Sequence, residues 1–257
     1  MPETTLPHPQ GAVCWLDTLL NSQDELLEFY QPLLGWSGGV NPEDPNKYAV
    51  QTVGGKAVAG VGFMPPEEPV MPWTGYFAVD DVDAASSRIE VLGGHVVVAG
   101  MDAPGVGRFA HATDPTGAAF GMWQAGPFPG FELHGEPGCL YWFELVTSDG
   151  KSAADFYGAL LGTEVQHMAM PDPPGGTYWT LHVAGEPRAG IFQADEAAAA
   201  HWRPYFHVRD VDTALAAALG SGARLLEPAA DTPYGRMAGL LDPLNNEFKL
   251  ASPPAGR

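Results

Sequence analysis

Hydrophobic and polar positions along the chain predict the same series of strands and helices in each half. In the first half, the apolar run from Val13 to Leu20 predicts a strand, and the sequence from Ser22 to Glu25 is typical of a capping box that begins a helix ending near Gly35. Asp81 is placed to cap a second helix that stops at the glycines at 93 and 94. The other strands of this half are predicted near residues 48–53, 56–63, 75–79, 95–98, 108–112 and 118–123.

The second half repeats this order of elements. Helices are predicted at 149–161 and 210–220, and strands near 140–146, 177–183, 187–193, 204–208, 223–227, 235–240 and 246–250. Each half therefore contains two β-α-β-β-β units. Between the halves, the segment from Gln124 to Gly138 is rich in Pro and Gly and lacks periodicity, which is typical of a linker.

Short sequence landmarks recur at a nearly fixed distance. Phe29-Tyr30 recurs 127 residues on as Phe156-Tyr157, and Asp114-Pro115 recurs 128 residues on as Asp242-Pro243. Such spacing indicates two copies of one module. The predicted boundaries are 8–124 for the first module, 125–138 for the linker and 139–253 for the second module.

Composition and charge narrow the classes of partner. The 257 residues are 45% hydrophobic, enough for two cores of ordinary size, and no stretch approaches the length of apolar sequence that spans a membrane. With 12 Lys and Arg against 31 Asp and Glu, the net charge of −19 repels nucleic-acid backbones and anionic membrane surfaces. The N-terminal sequence lacks an export signal, so we expect a cytoplasmic protein, a monomer or a homodimer, with Cys14 and Cys139 as reduced thiols.

The landmarks resemble those of the vicinal oxygen chelate superfamily, which includes glyoxalase I, bleomycin-resistance proteins and extradiol dioxygenases. The resembling elements are the helix ending in Phe-Tyr-x-x-Leu-Leu-Gly, the tyrosine strand ending in Asp-Val-Asp, and the Gly-Arg to Asp-Pro segment before the last strand. Trp15-x-Asp17 and Trp142-x-Glu144 further resemble a tandem 27-kDa subgroup often labelled glyoxalase-like or hydroxylase-like. The resemblance implies an α+β fold of two tandem modules, each with two β-α-β-β-β units forming a cupped eight-stranded sheet.

Catalysts of that superfamily hold a divalent metal with His or Gln on the first strand, His or Glu on the fifth and Glu on the eighth. Imidazole and carboxylate ligands suit such metals and leave positions open for substrate. The matching positions here are Trp15, Thr74 and Gly121 in the first half and Trp142, Arg203 and Lys249 in the second. The two cationic residues would repel a metal ion. The comparison therefore implies cups without the family's metal, and we expect no cofactor.

The same positions indicate what the first cup would bind. Because side chains alternate along a strand, Trp15 and Asp17 share one face, as do Thr74 and Tyr76. With the small residue Gly121 beside them, they would leave room next to flat aromatic walls and one carboxylate, which suits a planar polycyclic compound. The alternative is that Trp15, like its counterpart in the second half, fills the cup as a core residue.

The second cup would carry more charge. The side chains expected to point inward are those of Trp142, Glu144, Arg203, Tyr205, Glu247 and Lys249. Burying four charges is costly unless they pair, so one interpretation is a closed ion-pair network. The other is that Arg203 and Lys249 receive an anionic or enolic oxygen, with Glu144 as a base for metal-free isomerase or lyase chemistry.

We expect a protein that binds a hydrophobic aromatic small molecule without a metal ion. By resemblance, such proteins sequester antibiotics or assist the biosynthesis of aromatic polyketides, anthracycline-type compounds included. One alternative is a glyoxalase-like enzyme, either a metal-free isomerase or lyase, a hydroxylase-like catalyst, or a metal-dependent dioxygenase. A second alternative is a structural dimerisation module whose cups are filled. The catalytic residues of the enzyme alternative, the identity of the ligand and the choice of cup stay open.

Overall fold

The computed structural model describes residues 8–40, 47–169, 176–195 and 199–254. Within these ranges the first module contains strands β1 (Val13–Leu20), β2 (Ala49–Val53), β3 (Lys56–Phe63), β4 (Met71–Ala78), β5 (His95–Ala103), β6 (Gly107–Thr113) and β7 (Ala119–Ala125), with helices α1 (Gln23–Leu34) and α2 (Val82–Ile89). The second contains β8 (Leu140–Thr147), β9 (Glu164–Ala169), β10 (Thr177–Val183), β11 (Glu186–Gln193), β12 (His201–His207), β13 (Arg224–Thr232), β14 (Gly235–Leu241) and β15 (Glu247–Ser252), with α3 (Gly150–Leu161) and α4 (Val211–Gly220). No helix in these ranges is long and apolar enough to cross a membrane.

Each module forms one sheet in which its two units meet at the centre. The strand order is β2-β3-β1-β4-β7-β6-β5 in the first sheet and β13-β14-β15-β12-β8-β11-β10-β9 in the second. β1 pairs parallel with β3 and antiparallel with β4, and β8 pairs in the same way with β11 and β12. The predicted α+β class with two tandem modules, each built from two units that begin with a strand and a helix, is confirmed.

The first sheet has seven strands in the part of the chain that is described, where eight were predicted. The additional strand of the second sheet is β9, which lies at an edge and pairs with β10. By the repeat spacing, its counterpart would lie near residues 37–42, which run into the segment 41–46 outside the described ranges. β9 itself was not predicted, because its sequence Glu-Val-Gln-His-Met-Ala has no run of apolar or β-branched residues.

The starts of the helices follow the sequence prediction with one exception. The N-cap carboxylates that accept hydrogen bonds from first-turn N–H groups are those of Asp81, Asp149 and Asp210. Ser22 makes no such bond, so the predicted capping box is wrong. The buried amide of the next residue, Gln23, instead donates to the carbonyl oxygens of Lys47 and Val61 at 2.6 and 2.7 Å, which ties the start of α1 to β3.

A continuous hydrophobic core joins the two modules. Phe29 of α1 contacts Phe248 of the second module with 5.9 Å between ring centroids, and Tyr157 of α3 contacts Phe77 of the first module at 5.5 Å. Each module's first helix therefore packs against the other module. Side chains on the opposite face of each central strand form the two cups.

Candidate functional site

Strand registers bring the predicted residues of the first cup together. On β1 and β4, Trp15 pairs with Tyr76 and Asp17 pairs with Thr74, and Tyr76 in turn pairs with Gly121 of β7. Directly paired residues point to the same side of a sheet. These five residues therefore share one face, which is the first cup. The hydroxyl of Thr74 is already used, since it donates to the carbonyl oxygen of residue 72 at 2.9 Å.

The centre of the first cup is a chain of hydrogen bonds around Asp17. The Tyr48 and Tyr76 hydroxyls both donate to Oδ2 of Asp17, at 2.9 and 3.1 Å. The indole N–H of Trp15 donates to the Tyr48 oxygen at 2.7 Å, and the Tyr76 hydroxyl lies 2.8 Å from Nε2 of His111. Asp17 is only 4% exposed. The sequence did not single out Tyr48 or His111, which complete the cluster.

Burial controls the protonation of this cluster. Desolvation raises the pKa of Asp17 to about 7, although hydrogen bonds from Tyr48 and Tyr76 act in the opposite direction. Desolvation also lowers the pKa of His111 to about 4, so this imidazole is neutral at neutral pH. The first cup therefore holds a carboxyl group that gains or loses its proton near neutral pH and has no cation against it among the described residues.

Gly121 does not leave the open space that its sequence position suggested. A Cβ atom at Gly121 would overlap the ring of Tyr76, and a Cβ atom at Gly60 would overlap the ring of Tyr48. Both glycines therefore make room for the tyrosines of the cup. This corrects the argument from residue size, because the space beside Gly121 is taken by a neighbouring side chain.

The segment between the modules contributes an aromatic side chain to the first cup. The ring of Phe128 lies edge-on to Trp15, with 4.9 Å between centroids, and 6.1 Å from the ring of Trp123 on β7. The indole N–H of Trp123 donates to the carbonyl oxygen of Phe128 at 3.2 Å. Phe128 thus covers the aromatic wall that was expected to receive a ligand.

The outer wall of the first sheet carries exposed apolar residues. Met101 of β5 is paired with Phe109 of β6, and the Phe109 ring lies 5.3 Å from that of His111. Met101 is 50% exposed and Val97 on the same edge strand is 60% exposed. Exposed apolar side chains therefore lie on the edge strand that pairs with the strand of His111.

The second cup contains a closed network of ion pairs. Oε2 of Glu144 accepts from Nε and Nη2 of Arg203 at 2.9 and 2.6 Å and from the Tyr205 hydroxyl at 2.8 Å. Oε1 accepts from the Tyr178 hydroxyl at 2.8 Å, and that hydroxyl accepts from the indole N–H of Trp142 at 2.8 Å. Burial alone would raise the pKa of Glu144, but the charges of Arg203 and Lys249 and the Tyr205 hydrogen bond lower it.

The remaining charges of the second cup are paired as well. Nη1 of Arg203 bonds to Glu247, whose other oxygen lies 3.0 Å from Nε2 of His201. Lys249 donates to Glu227 at 2.7 Å and lies 5.2 Å from the centroid of the Tyr205 ring. Burial opposes ionisation of Glu247, yet its bonds to His201 and Arg203 lower its pKa to about 2. The second cup therefore contains the closed ion-pair network of the first interpretation. Arg203 is already paired with Glu144 and Glu247.

The two cups share a motif that the sequence repeat could have revealed. In each, a tryptophan on the first strand donates to a tyrosine, and that tyrosine donates to the acid two residues after the tryptophan. The tyrosines are Tyr48 and Tyr178, 130 residues apart and each at the start of a strand hairpin. Their equivalence was missed because the offset differs slightly from that of the other landmarks.

The positions that match the superfamily's metal ligands do not fit a divalent metal. An indole, a hydroxyl already bonded to backbone and a glycine occupy them in the first cup, and an indole with two cations occupies them in the second. Across the described ranges, no group of three or more His, Cys, Asp or Glu side chains is arranged to hold a metal ion. The groups that the cups offer for binding or proton transfer are therefore their own acids, hydroxyl groups and aromatic rings.

Two surface clefts lie outside the cups. A cleft of about 690 Å³ is lined by side chains that include Ser22, Val40 and Lys47. A cleft of about 300 Å³ between Trp73 and Glu247 reaches the rim of the ion-pair network. Neither contains the Asp17 cluster, whose conjunction of a buried acid and aromatic rings makes the first cup the stronger candidate site.

Comparison with known proteins identifies relatives of similar length. Residues 142–251 match a family model described as a glyoxalase-like domain. The chain is 38% identical over 260 residues to the anthracycline biosynthesis protein DnrV of Streptomyces peucetius, covering 93% of this chain and 92% of DnrV. It is 36% identical over 251 residues to CFP32 of Mycobacterium tuberculosis, provisionally named a glyoxylase, covering 95% of both chains. A Mn(II)-bound glyoxalase from Novosphingobium aromaticivorans shares the fold, with a TM-score of 0.65 at 17% identity, covering 95% of this chain and 83% of that one.

Proposed function

The chain belongs to the glyoxalase-like family of the vicinal oxygen chelate superfamily, and we propose that it binds a hydrophobic aromatic small molecule in its first cup without a metal ion. The observation that supports this proposal is the conjunction, in one cup, of aromatic rings with a single buried carboxyl group that no cation in the described part of the chain neutralises. Trp15, Trp123 and Tyr76 supply the rings, and Asp17 supplies the carboxyl.

The aromatic wall supplies the affinity. A planar ring packed against Trp15 or Tyr76 gains roughly 0.5–1.5 kcal/mol per aromatic contact beyond the burial of its apolar surface. Trp15 and Tyr76 are only 4% and 5% exposed, so a ligand has to take the place of a side chain that now covers them. Phe128 is the candidate for displacement, because it comes from the segment between the modules and contacts Trp15 edge-on.

The names of relatives support a role in aromatic natural-product metabolism. DnrV is an anthracycline biosynthesis protein and aligns with this chain over nearly all of both lengths. We propose that the present protein assists a pathway to an aromatic polyketide of anthracycline type, or sequesters such a compound as a resistance protein. Both roles need binding of a planar polycycle and neither needs turnover.

Titration with anthracyclines, other quinones and flavonoids tests this proposal through tryptophan fluorescence and thermal stability. A ligand at about 100 times its dissociation constant should stabilise the fold by roughly 2.7 kcal/mol. We expect Trp15→Ala to abolish binding. Loss of binding in Trp142→Ala instead would assign the site to the second cup, and the absence of both quenching and a thermal shift across the panel would overturn the proposal.

Elemental analysis tests the proposal that the protein binds its ligand without a metal ion. Protein purified without chelator should contain less than about 0.1 equivalent of Zn, Fe, Ni or Mn, because the six matched positions lack the ligands that such metals require. Stoichiometric metal that is lost with chelator together with ligand binding would contradict it.

The alternative is a glyoxalase-like enzyme. It is favoured by the pKa of Asp17, about 7, because a buried acid that titrates near neutral pH is suited to proton transfer. The name of CFP32 points in the same direction. Incubation of a bound compound with the protein, followed by mass spectrometry, distinguishes the two functions, since an isomer or cleavage product appears only with an enzyme.

A further inference from the structure

The acids of the two cups differ in how their oxygens are used. Both oxygens of Glu144 accept hydrogen bonds, two of them from Arg203. On Asp17, by contrast, Oδ2 accepts from Tyr48 and Tyr76, while Oδ1 is buried and has no partner among the described residues. An unpaired polar atom in such surroundings is costly and marks a place where a partner is needed.

The hydrogen-bond directions decide where a proton on Asp17 resides. The Tyr48 oxygen accepts from the indole N–H of Trp15, and the Tyr48 hydroxyl donates to Oδ2. We take His111 to carry its proton on Nε2, so that this N–H donates to the Tyr76 oxygen at 2.8 Å and the Tyr76 hydroxyl donates to Oδ2 of Asp17. With two donors directed at Oδ2, the proton of the neutral acid belongs on Oδ1. The neutral carboxyl group then offers an O–H donor, with no acceptor of its own among the described residues.

Building on the proposed function, we propose that the first cup selects aromatic ketones and quinones, whose carbonyl oxygen accepts a hydrogen bond from the protonated Oδ1 of Asp17. A carbonyl group matches this site because it is an acceptor without a proton. When Asp17 is ionised, Oδ1 becomes an acceptor and repels the same carbonyl oxygen. Binding is therefore tight while the acid is neutral and weaker once it ionises.

The groups around Asp17 allow the pH dependence of binding to be assigned to this residue. Among the residues that the structure describes, the titratable groups that face Asp17 are the Tyr48 and Tyr76 hydroxyls, whose pKa values are raised by burial, and His111 beyond Tyr76, whose pKa is lowered. Gly60 and Thr74 are the neighbours on β3 and β4, and neither is charged. Between pH 5 and 8.5, Asp17 is thus the group of this cluster that changes charge.

The test compares 9-fluorenone with fluorene, two probes of nearly the same shape that differ in one carbonyl group and do not titrate in this range. We expect wild-type protein at pH 5.5 to bind fluorenone roughly 3- to 10-fold more tightly than fluorene, the gain typical of one hydrogen bond. The preference should fall towards 1 at pH 8.5. Tryptophan quenching or calorimetry measures both affinities.

Variants separate the hydrogen bond from a change in fold. Asp17→Asn mimics the neutral acid, because its amide N–H can occupy the position of the protonated Oδ1 while its oxygen accepts from the tyrosines. This variant should keep the fluorenone preference at every pH, whereas Asp17→Leu should lose it. Asp114→Asn changes another buried carboxyl group that accepts from a tyrosine, outside the cup, and should leave the pH profile as in the wild type.

The outcomes distinguish this inference from the proposed function on which it rests. If neither probe nor any compound of the aromatic panel binds, the proposed function fails. If fluorenone and fluorene bind equally at pH 5.5, or if the preference in Asp17→Asn still falls with pH, the role of Asp17 is overturned while aromatic binding in the cup stands.

Discussion

The hydroxyl of Tyr30 in the first module donates a hydrogen bond to Oδ2 of Asp242 in the second, at 3.0 Å. The reciprocal bond runs from Tyr157 of the second module to Asp114 of the first, at 3.1 Å. The Phe-Tyr and Asp-Pro landmarks that reveal the sequence repeat are thus the residues that link the modules. Each tyrosine oxygen also accepts an indole N–H, that of Trp73 for Tyr30.

Removing one of these hydroxyl groups should destabilise both modules together. Tyr30→Phe leaves the buried Asp242 carboxyl with one donor fewer and Trp73 without an acceptor, so we expect a loss of about 1–3 kcal/mol in the free energy of unfolding. Denaturant unfolding measures it. Tyr234→Phe, at a side chain that is 55% exposed, is the control and should change the free energy little. A loss in Tyr30→Phe no larger than in the control would show that the link contributes nothing.

The sequence predicted the modules from their repeated landmarks, and alternation along β1 placed Trp15 and Asp17 on one face. Which face lines the cup followed from the resemblance to the superfamily. The balance of acids and bases on β8, β12 and β15 left two interpretations of the second cup, of which the structure shows the ion pairs. The sequence did not reveal Tyr48 or His111 because neither occupies a position of the superfamily's ligand set, and only the folded chain brings Tyr48 to Asp17 and His111 to Tyr76. The error at Gly121 has the same origin, since only the folded chain shows that the Tyr76 ring lies over it.

The protonation of Asp17 should make stability depend on pH in a defined direction. Its pKa is about 7 in the folded protein and about 3.9 in an unfolded chain, so the folded state binds more protons between these values. The stability contributed by the neutral acid is complete below about pH 4 and is lost as the pH rises to about 7.

Asp17→Asn cannot ionise and should escape this loss. Compared with the wild type, the variant should gain stability on the order of 1 kcal/mol per pH unit between pH 5 and 7, with no further gain above the folded pKa. Denaturant unfolding at several pH values measures the difference. Asp210→Asn is the control, because the pKa of this exposed N-cap is lowered and both of its states are ionised above pH 5. A constant difference for Asp17→Asn would show that the acid is ionised throughout.

Arg203 should matter more to the fold than Lys249. Arg203→Met leaves the buried Glu144 without the cation that binds it and removes one partner of Glu247, and we expect a loss of about 3–5 kcal/mol in the free energy of unfolding. Lys249→Met leaves Glu227, which is about half exposed and can be solvated, so its loss should be smaller. Unfolding experiments compare the two. Equal losses would show that the network does not depend on Arg203.

Phe128 should compete with the ligand for the wall of the first cup. Its ring contacts Trp15 and Trp123, which an aromatic ligand would have to cover. Phe128→Ala removes this competitor. Since an aromatic contact is worth about 0.5–1.5 kcal/mol, the variant should bind an aromatic ligand about 2- to 10-fold more tightly. Calorimetric titration with 9-fluorenone measures the change.

The control for this variant is Tyr234→Ala, which removes an exposed aromatic ring from the hairpin of β13 and β14. It should leave the affinity for 9-fluorenone unchanged, so that tighter binding in Phe128→Ala can be assigned to the first cup. Weaker binding in Phe128→Ala would have the opposite meaning. In that case the Phe128 ring stays in place when the ligand enters and forms part of its binding wall beside Trp15.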